Sequence, residues 1–94
     1  MSSKSFDKQV AIITGAGVGI GLEIARQLSL NGASVILNDI DESLTKKAAA
    51  KIESEGGVCF AMPGDASDVT LIQAMVNEAV QRFGGLTIAI ANAG

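Results

Sequence analysis

Hydrophobic positions along the chain fall into short continuous apolar runs that alternate with longer amphipathic stretches. The short runs contain many β-branched residues and little polar alternation, which is typical of strands buried on both faces of a parallel sheet. They predict four strands: Val10–Thr14, Ser34–Asp39, Val58–Met62 and Leu86–Ala91.

The three stretches between the strands have the length and periodicity of amphipathic helices. Each is closely followed by glycine, which readily adopts the left-handed conformation that terminates a helix. The predicted helices are Ile20–Leu30, a second one capped by Asp41 and ending at Gly56, and a third from Ser67 or Asp68 to Phe83. Their predicted buried faces are Ile20, Ile24 and Leu28; Leu44, Ala48 and Ile52; and Leu71, Ile72, Met75, Val76, Ala79 and Phe83.

Strands that alternate with helices predict one α/β domain over residues 1–94, with a parallel sheet covered by helices on both faces. Right-handed crossovers favour the strand order 3-2-1-4, with the first two helices on one face and the third on the other. This order leaves a crevice between strands one and four, and open α/β sheets bind ligands at such a crevice. We therefore expect functional residues in the loops that follow the strands.

Charge and composition exclude several classes of function. The net charge is -3 and the seven Lys and Arg residues are scattered, so the chain lacks the basic patch that nucleic-acid binding requires.

Cys59 is the single cysteine and histidine is absent; we expect Cys59 in the core and predict neither a disulfide nor a metal site. The N-terminus is polar and no apolar run reaches the roughly 18–20 residues that span a bilayer. These features predict a cytoplasmic protein without a nucleic-acid or membrane partner.

A glycine-rich turn with the sequence TGAGVGIG, residues 14–21, joins the first strand to the first helix. Backbone amides and the helix dipole favour an anion at such a turn, for example the pyrophosphate of a dinucleotide. Ile20 stands where a GxGxxG pattern from Gly15 needs its third glycine, and no Lys-Ser or Lys-Thr of a P-loop follows. The pattern that fits is TGxxxGIG. The glycines alone are also compatible with a turn that binds no ligand.

Asp39 stands at the carboxyl end of the second predicted strand. A carboxylate at this position accepts hydrogen bonds from the hydroxyls of an adenosine ribose and repels a 2′-phosphate. The alternative is that Asp39 begins a turn, since Asp and Asn favour turns on their own account.

These features together make the chain similar to the short-chain dehydrogenase/reductase family over residues 8–94. The resemblance rests on TGAGVGIG, Asp39, Asp65 after the third strand, and the final Ala91-Asn92-Ala93-Gly94, where the family usually has Asn in place of Ala91. It implies a Rossmann-type fold and hydride transfer between a nicotinamide dinucleotide and an alcohol or ketone. The cofactor-binding residues that it implies are Gly15, Val18, Gly19, Ile20, Gly21, Asp39, Ile40, Asp65, Ala66, Asn92, Ala93 and Gly94.

Within this set, the resemblance assigns the adenine contact to the Asp65 side chain and the backbone of Ala66. By spacing alone, Asp65 is equally compatible with a cap in the loop before the third helix. Members that use NADP often carry a basic residue at the position of Val18 or of Ile40, and neither is basic here. The resemblance and the charge of Asp39 therefore predict NAD as the cofactor.

The family's catalysis depends on a Tyr-x-x-x-Lys pair, and this sequence contains no tyrosine. We therefore assign no catalytic residue and expect a truncated chain that is inactive alone.

As a complete protein it would resemble 3-oxoacyl-carrier-protein reductases or glucose dehydrogenases. Alternatives are a segment of an S-adenosylmethionine methyltransferase and a non-enzymatic nucleotide-sensing module. The fourth strand is apolar and unpaired on one side, which predicts homo-oligomers.

Overall fold

The computed structural model describes residues 5–92 and has the predicted alternation of strands and helices. Its strands are β1 Val10–Thr14, β2 Ser34–Leu37, β3 Val58–Ala61 and β4 Ile88–Ala91. Its helices are α1 Gly19–Leu30, α2 Glu42–Ser54 and α3 Val69–Phe83. The strands form one parallel sheet in the order β3-β2-β1-β4, which confirms the predicted topology.

Successive residues of β1 point to opposite faces of the sheet and are buried on both. Ala11 and Ile13 belong to one apolar cluster, whereas Val10 and Ile12 belong to the other. A strand covered on both sides has no polar face, and this explains why its sequence is a continuous apolar run.

The helices divide between the two faces as predicted. Ala25 and Leu28 of α1 pack with Ala48 and Ile52 of α2 in the first cluster. Met75 and Ala79 of α3 lie in the second. This arrangement follows from right-handed crossovers that extend the sheet to both sides of β1.

Local signals set the helix ends. Asp41 caps α2 by accepting a 2.9 Å hydrogen bond from the Leu44 amide, and Asp68 caps α3 by accepting one from Thr70. Gly84 ends α3 in the left-handed conformation with φ 89°. Such residues satisfy backbone groups that a helix leaves unpaired at its ends.

Two parts of the predicted buried faces are wrong. Ile20 is 76% exposed because the buried face of α1 runs through Gly21, Ala25 and Leu28, which places Ile20 outside it. Ile72 of α3 is 38% exposed. The paired strands are also shorter than predicted: β2 and β3 end before Asp39 and Met62, and β4 starts at Ile88. Single backbone hydrogen bonds to the neighbouring strand continue at Asn38, Met62 and Thr87, so the predicted bounds exceed the paired strands by only one or two residues.

Cys59 is buried on β3, as expected of a residue that behaves as a small hydrophobe. Burial raises the pKa of its thiol to about 12. The thiol is therefore protonated at neutral pH and is a poor nucleophile.

Candidate functional site

A cleft of about 620 Å³ opens at the carboxyl ends of the strands. The loops after β1, β2 and β3 and the end of β4 all contribute to its walls. The residues that line it are Thr14, Gly15, Asn38, Asp39, Ile40, Gly64, Asp65, Ala66, Ser67, Ile72 and Ala91. The structure thus brings together Gly15, Asp39, Ile40, Asp65 and Ala66 of the predicted cofactor-binding set.

The glycine turn between β1 and α1 forms one wall of the cleft. Gly15 and Gly19 have φ values of 63° and 67°, a conformation that other residues adopt at a cost. A side chain on Gly19 would meet nothing within 4 Å, so the space outside the turn is open there. Gly19 begins α1, and the first amides of a helix have no partner within the helix. This geometry suits an anionic group such as a pyrophosphate.

Gly21 allows α1 to lie close to the ends of β1 and β4. A Cβ atom there would lie 2.5 Å from the Gly15 carbonyl oxygen and 2.5 Å from Asn92 Nδ2. Asn92 Nδ2 donates a 2.9 Å hydrogen bond to that same oxygen, and the Asn92 amide donates to Thr14 Oγ1. Asn92 therefore fastens the end of β4 to the glycine turn, while Ala93 and Gly94 lie outside the described residues.

Asp39 joins the glycine turn to the end of β2. Its Oδ2 accepts a 2.9 Å hydrogen bond from the Gly17 amide, and its Oδ1 accepts a 3.1 Å bond from the Asp41 amide. The second bond shows that Asp39 also forms the turn that was the alternative interpretation of its position. A carboxylate has about four acceptor positions, so Asp39 retains capacity for hydroxyl groups in the cleft that it lines.

Asn38, which sequence reasoning did not include in the site, connects β2 to the opposite wall. It is buried, and its Nδ2 donates hydrogen bonds of 2.9 Å to Met62 O and 3.1 Å to Gly64 O. Its own carbonyl accepts a 2.8 Å bond from the Ala16 amide. A polar residue that directly follows an apolar strand was the available signal, although it did not distinguish a buried anchor from a surface turn.

Asp65 lies in the opposite wall, in the β3–α3 loop. Its Oδ1 accepts hydrogen bonds from the Ser67 amide at 2.9 Å and from Ser67 Oγ at 2.8 Å. These bonds lower the pKa of the Asp65 carboxyl because they stabilise its charged form. Asp65 thus caps its own loop, as its spacing allowed, and also lines the cleft beside Ala66.

The side chains next to Asp39 and within the glycine turn are uncharged and exposed. Val18 is 55% exposed and Ile40 is 73% exposed. Ile40 lines the cleft, whereas Val18 and Ile20 do not. Neither position 18 nor position 40 therefore supplies a basic side chain that would neutralise the charge of Asp39.

The glycine turn, the acidic residue after β2 and the parallel sheet together are the features expected of a dinucleotide-binding fold. The family model described as short chain dehydrogenase matches residues 9–94. The chain belongs to the short-chain dehydrogenase/reductase family. Members of this family bind a nicotinamide dinucleotide, and they act as oxidoreductases.

Individual relatives support this assignment. The chain is 42% identical over 87 residues to the uncharacterized oxidoreductase YxjF of Bacillus subtilis, covering 93% of this chain and 34% of that protein. It is 38% identical over 92 residues to cyclohexanol dehydrogenase of an Acinetobacter species, covering 98% of this chain and 37% of the relative. The crystal structure of an Escherichia coli hydroxysteroid dehydrogenase superposes with a TM-score of 0.89 at 37% identity, covering 95% of this chain and 38% of that one. The chain thus spans about a third of the length of these relatives.

The residues of the cleft fit such a cofactor. The glycine turn is open outside Gly19, and Gly15 and Asp39 both line the cleft. Among residues 5–92 no group of three or more His, Cys, Asp or Glu side chains could hold a metal ion. No helix in this range is long and apolar enough to cross a membrane.

Proposed function

We propose that the chain is the nucleotide-binding portion of an oxidoreductase that prefers NAD(H) and transfers hydride between this cofactor and an alcohol or ketone. The observation that carries the preference is the carboxylate of Asp39 in the wall of the cleft. Ribose hydroxyls donate hydrogen bonds to a carboxylate, whereas a 2′-phosphate is repelled by its negative charge. The neutral residues Val18 and Ile40 offer no compensating positive charge.

The other cleft residues have separate roles in this proposal. Amides of the glycine turn at the start of α1, from Val18 to Gly21, hold the pyrophosphate at the N-terminus of that helix. The Ala16 and Gly17 amides instead donate to Asn38 and Asp39. Asp65 and the backbone of Ala66 hold the adenine, and Asn92 keeps β4 against the glycine turn beside the cofactor. The bound dinucleotide supplies a nicotinamide ring that accepts or donates the hydride.

The chain spans about a third of the length of its relatives. The substrate class of the whole protein is therefore proposed from those relatives. Two of them are named a cyclohexanol dehydrogenase and a hydroxysteroid dehydrogenase, which supports an alcohol or ketone. Enzymes of the 3-oxoacyl-carrier-protein reductase or glucose dehydrogenase kind belong to the same class of chemistry. We assign no catalytic residue within these 94 residues, and the inactivity of the isolated chain stays a prediction.

Calorimetric titration with NADH and NADPH tests the cofactor preference directly. We expect tighter binding of NADH, and we expect Asp39→Asn to reduce the ratio of the two affinities about tenfold or more, since hydrogen bonds to a charged group contribute about 1.5–3 kcal/mol. Adding Ile40→Arg to Asp39→Asn should narrow the ratio further or reverse it, because the guanidinium pairs with a 2′-phosphate.

Asp41→Asn is the matched control for Asp39→Asn. It removes the same charge two residues away and keeps a side chain that can cap α2. Asp41 does not line the cleft, so this variant should retain the preference. Equal affinities for NADH and NADPH in the unaltered chain would contradict the proposal.

The two alternative functions have less support. A methyltransferase segment would not be expected to match the short chain dehydrogenase model over residues 9–94. A nucleotide-sensing module would use the same cleft and has no observation in its favour beyond the cleft itself. Homo-oligomers through β4, whose residues Ile88–Ala91 are all uncharged, also stay a prediction.

A further inference from the structure

Gly17 occupies a position that the TGxxxGIG pattern leaves unspecified. It is buried and is not among the residues that line the cleft. Its amide donates a 2.9 Å hydrogen bond to Asp39 Oδ2. The backbone at this position is therefore directed at a side chain of the neighbouring loop.

A side chain at position 17 would collide with Asp39 before anything else. A Cβ atom there would lie 2.9 Å from Oδ2, 3.0 Å from Cγ and 3.0 Å from Cβ of Asp39, and these are its three nearest atoms. All three distances are shorter than ordinary van der Waals contact. Gly17 is not among the glycines with positive φ, so its backbone conformation does not itself require glycine. Space for Asp39 is thus the local reason for glycine at this position.

We propose that Gly17 is a specificity-determining residue that acts through Asp39. Because it lacks a side chain, the Asp39 carboxylate can lie against the glycine turn and discriminate NAD(H) from NADP(H) from there. This inference rests on the proposed role of Asp39 in cofactor preference. It differs from the usual explanation for a glycine in such a turn, which is the close approach of the backbone to the pyrophosphate.

The two explanations predict different affinities for Gly17→Ala. If the methyl group displaces the Asp39 carboxylate, the ratio of NADH to NADPH affinity falls about tenfold, the effect of one hydrogen bond to a charged group. If the methyl group blocks the pyrophosphate, which both cofactors contain, both affinities fall equally and the ratio is unchanged.

A double-mutant cycle with Asp39→Ala separates direct from indirect effects. Asp39→Ala removes Oδ2 and Cγ, two of the three atoms that a Cβ at position 17 would meet. In this background Gly17→Ala should leave the affinity ratio unchanged within about twofold, because the carboxylate through which it acts is absent. Gly85→Ala is the matched control because a side chain there meets nothing within 4 Å.

Amide hydrogen exchange in the cofactor-free chain tests the contact even if Gly17→Ala does not fold. The Gly17 amide should exchange more slowly in the unaltered chain than in Asp39→Ala, because the carboxylate accepts its hydrogen. Equal exchange rates would show that the bond does not hold in solution and would overturn the inference.

The outcomes for the inference and for the proposed function are distinguishable. If Asp39→Ala abolishes the preference while Gly17→Ala retains it, the inference is wrong and the NAD(H) assignment stands. If Gly17→Ala weakens both cofactors equally with or without Asp39, the pyrophosphate explanation is correct and the inference is again wrong. If Asp39→Ala leaves the preference for NADH intact, Asp39 does not set it, and both the proposed role of Asp39 and the inference are wrong, although the NAD(H) assignment itself stands.

Discussion

The two walls of the cleft each carry an aspartate after a strand, but the two aspartates are held in different ways. Asp39 is bonded to Gly17, 22 residues away in the sequence, and Asn92 bonds to Gly15 in the same wall across 77 residues. Asp65 is bonded to Ser67, two residues away. The glycine-turn wall is thus assembled by contacts between distant segments, whereas the acidic residue of the β3–α3 wall is positioned by its own loop.

Because the two walls are held differently, they are sensitive to different substitutions. The glycine-turn wall depends on close approach, because a methyl group at Gly21 or Gly17 would meet another segment at 3.0 Å or less. The β3–α3 wall has a buried side-chain anchor, Asn38, whose Nδ2 donates to the Met62 and Gly64 carbonyls. The backbone amides of Met62 and Gly64 also donate to the Leu37 and Asp39 carbonyls.

Removing the anchor should have the largest effect. Asn38→Ala leaves the Met62 and Gly64 carbonyls without their side-chain donor, and we expect it to lower the free energy of unfolding by about 2–4 kcal/mol. Chemical denaturation measures this loss. Asn77→Ala, on the exposed side of α3, is the control and should stay within about 0.5 kcal/mol of the unaltered chain. Similar values for the two variants would mean that Asn38 is not an anchor.

Filling the close approach in the glycine-turn wall should have the next largest effect. Gly21→Ala places a Cβ against the Gly15 carbonyl and Asn92 Nδ2, and such overpacking typically costs about 1–3 kcal/mol. It should also separate β4 from the turn, so that binding of either cofactor weakens. Gly85→Ala is the control, and denaturation together with calorimetry measures both effects. A Gly21→Ala variant as stable as the control would show that α1 can move away from the strands without loss.

Weakening the local loop should have the smallest effect on stability, and the size of this effect depends on pH. Hydrogen bonds from Ser67 lower the pKa of Asp65 below its ordinary 3.8. The stability that they contribute is therefore present above that ordinary pKa and is lost as pH falls through the lowered value. Ser67→Ala removes the hydroxyl donor but keeps the amide donor, so we expect the pKa of Asp65 to rise part of the way back.

Carboxyl chemical shifts in an NMR pH titration measure that pKa. Ser43→Ala changes an exposed serine in α2 and should leave the Asp65 titration unchanged. An unaltered titration in Ser67→Ala would assign the lowered pKa to the backbone amide alone.

The order of elements was predictable because the signals for it are local. Continuous apolar runs identify strands buried on both faces, and residues such as Asp41 and Gly84 act on backbone groups within one helical turn. Right-handed crossovers then convert this order into the sheet β3-β2-β1-β4. The fold, the position of the cleft and the candidate roles of the glycines and Asp39 were therefore predictable from local sequence signals.

Contacts between side chains from distant segments depend on the tertiary structure and could not be predicted from the sequence. The exposure of Ile20 depends on which face of α1 packs on the sheet, and the small residues Gly21 and Ala25 of that face carry little periodic signal. The burial of Asn38 and the contact between Asp39 and Gly17 require the ends of neighbouring strands to be in register. Hydrogen bonds act over about 3 Å, so a contact between residues 22 or 77 positions apart exists only once the parallel sheet has brought their loops to the same edge.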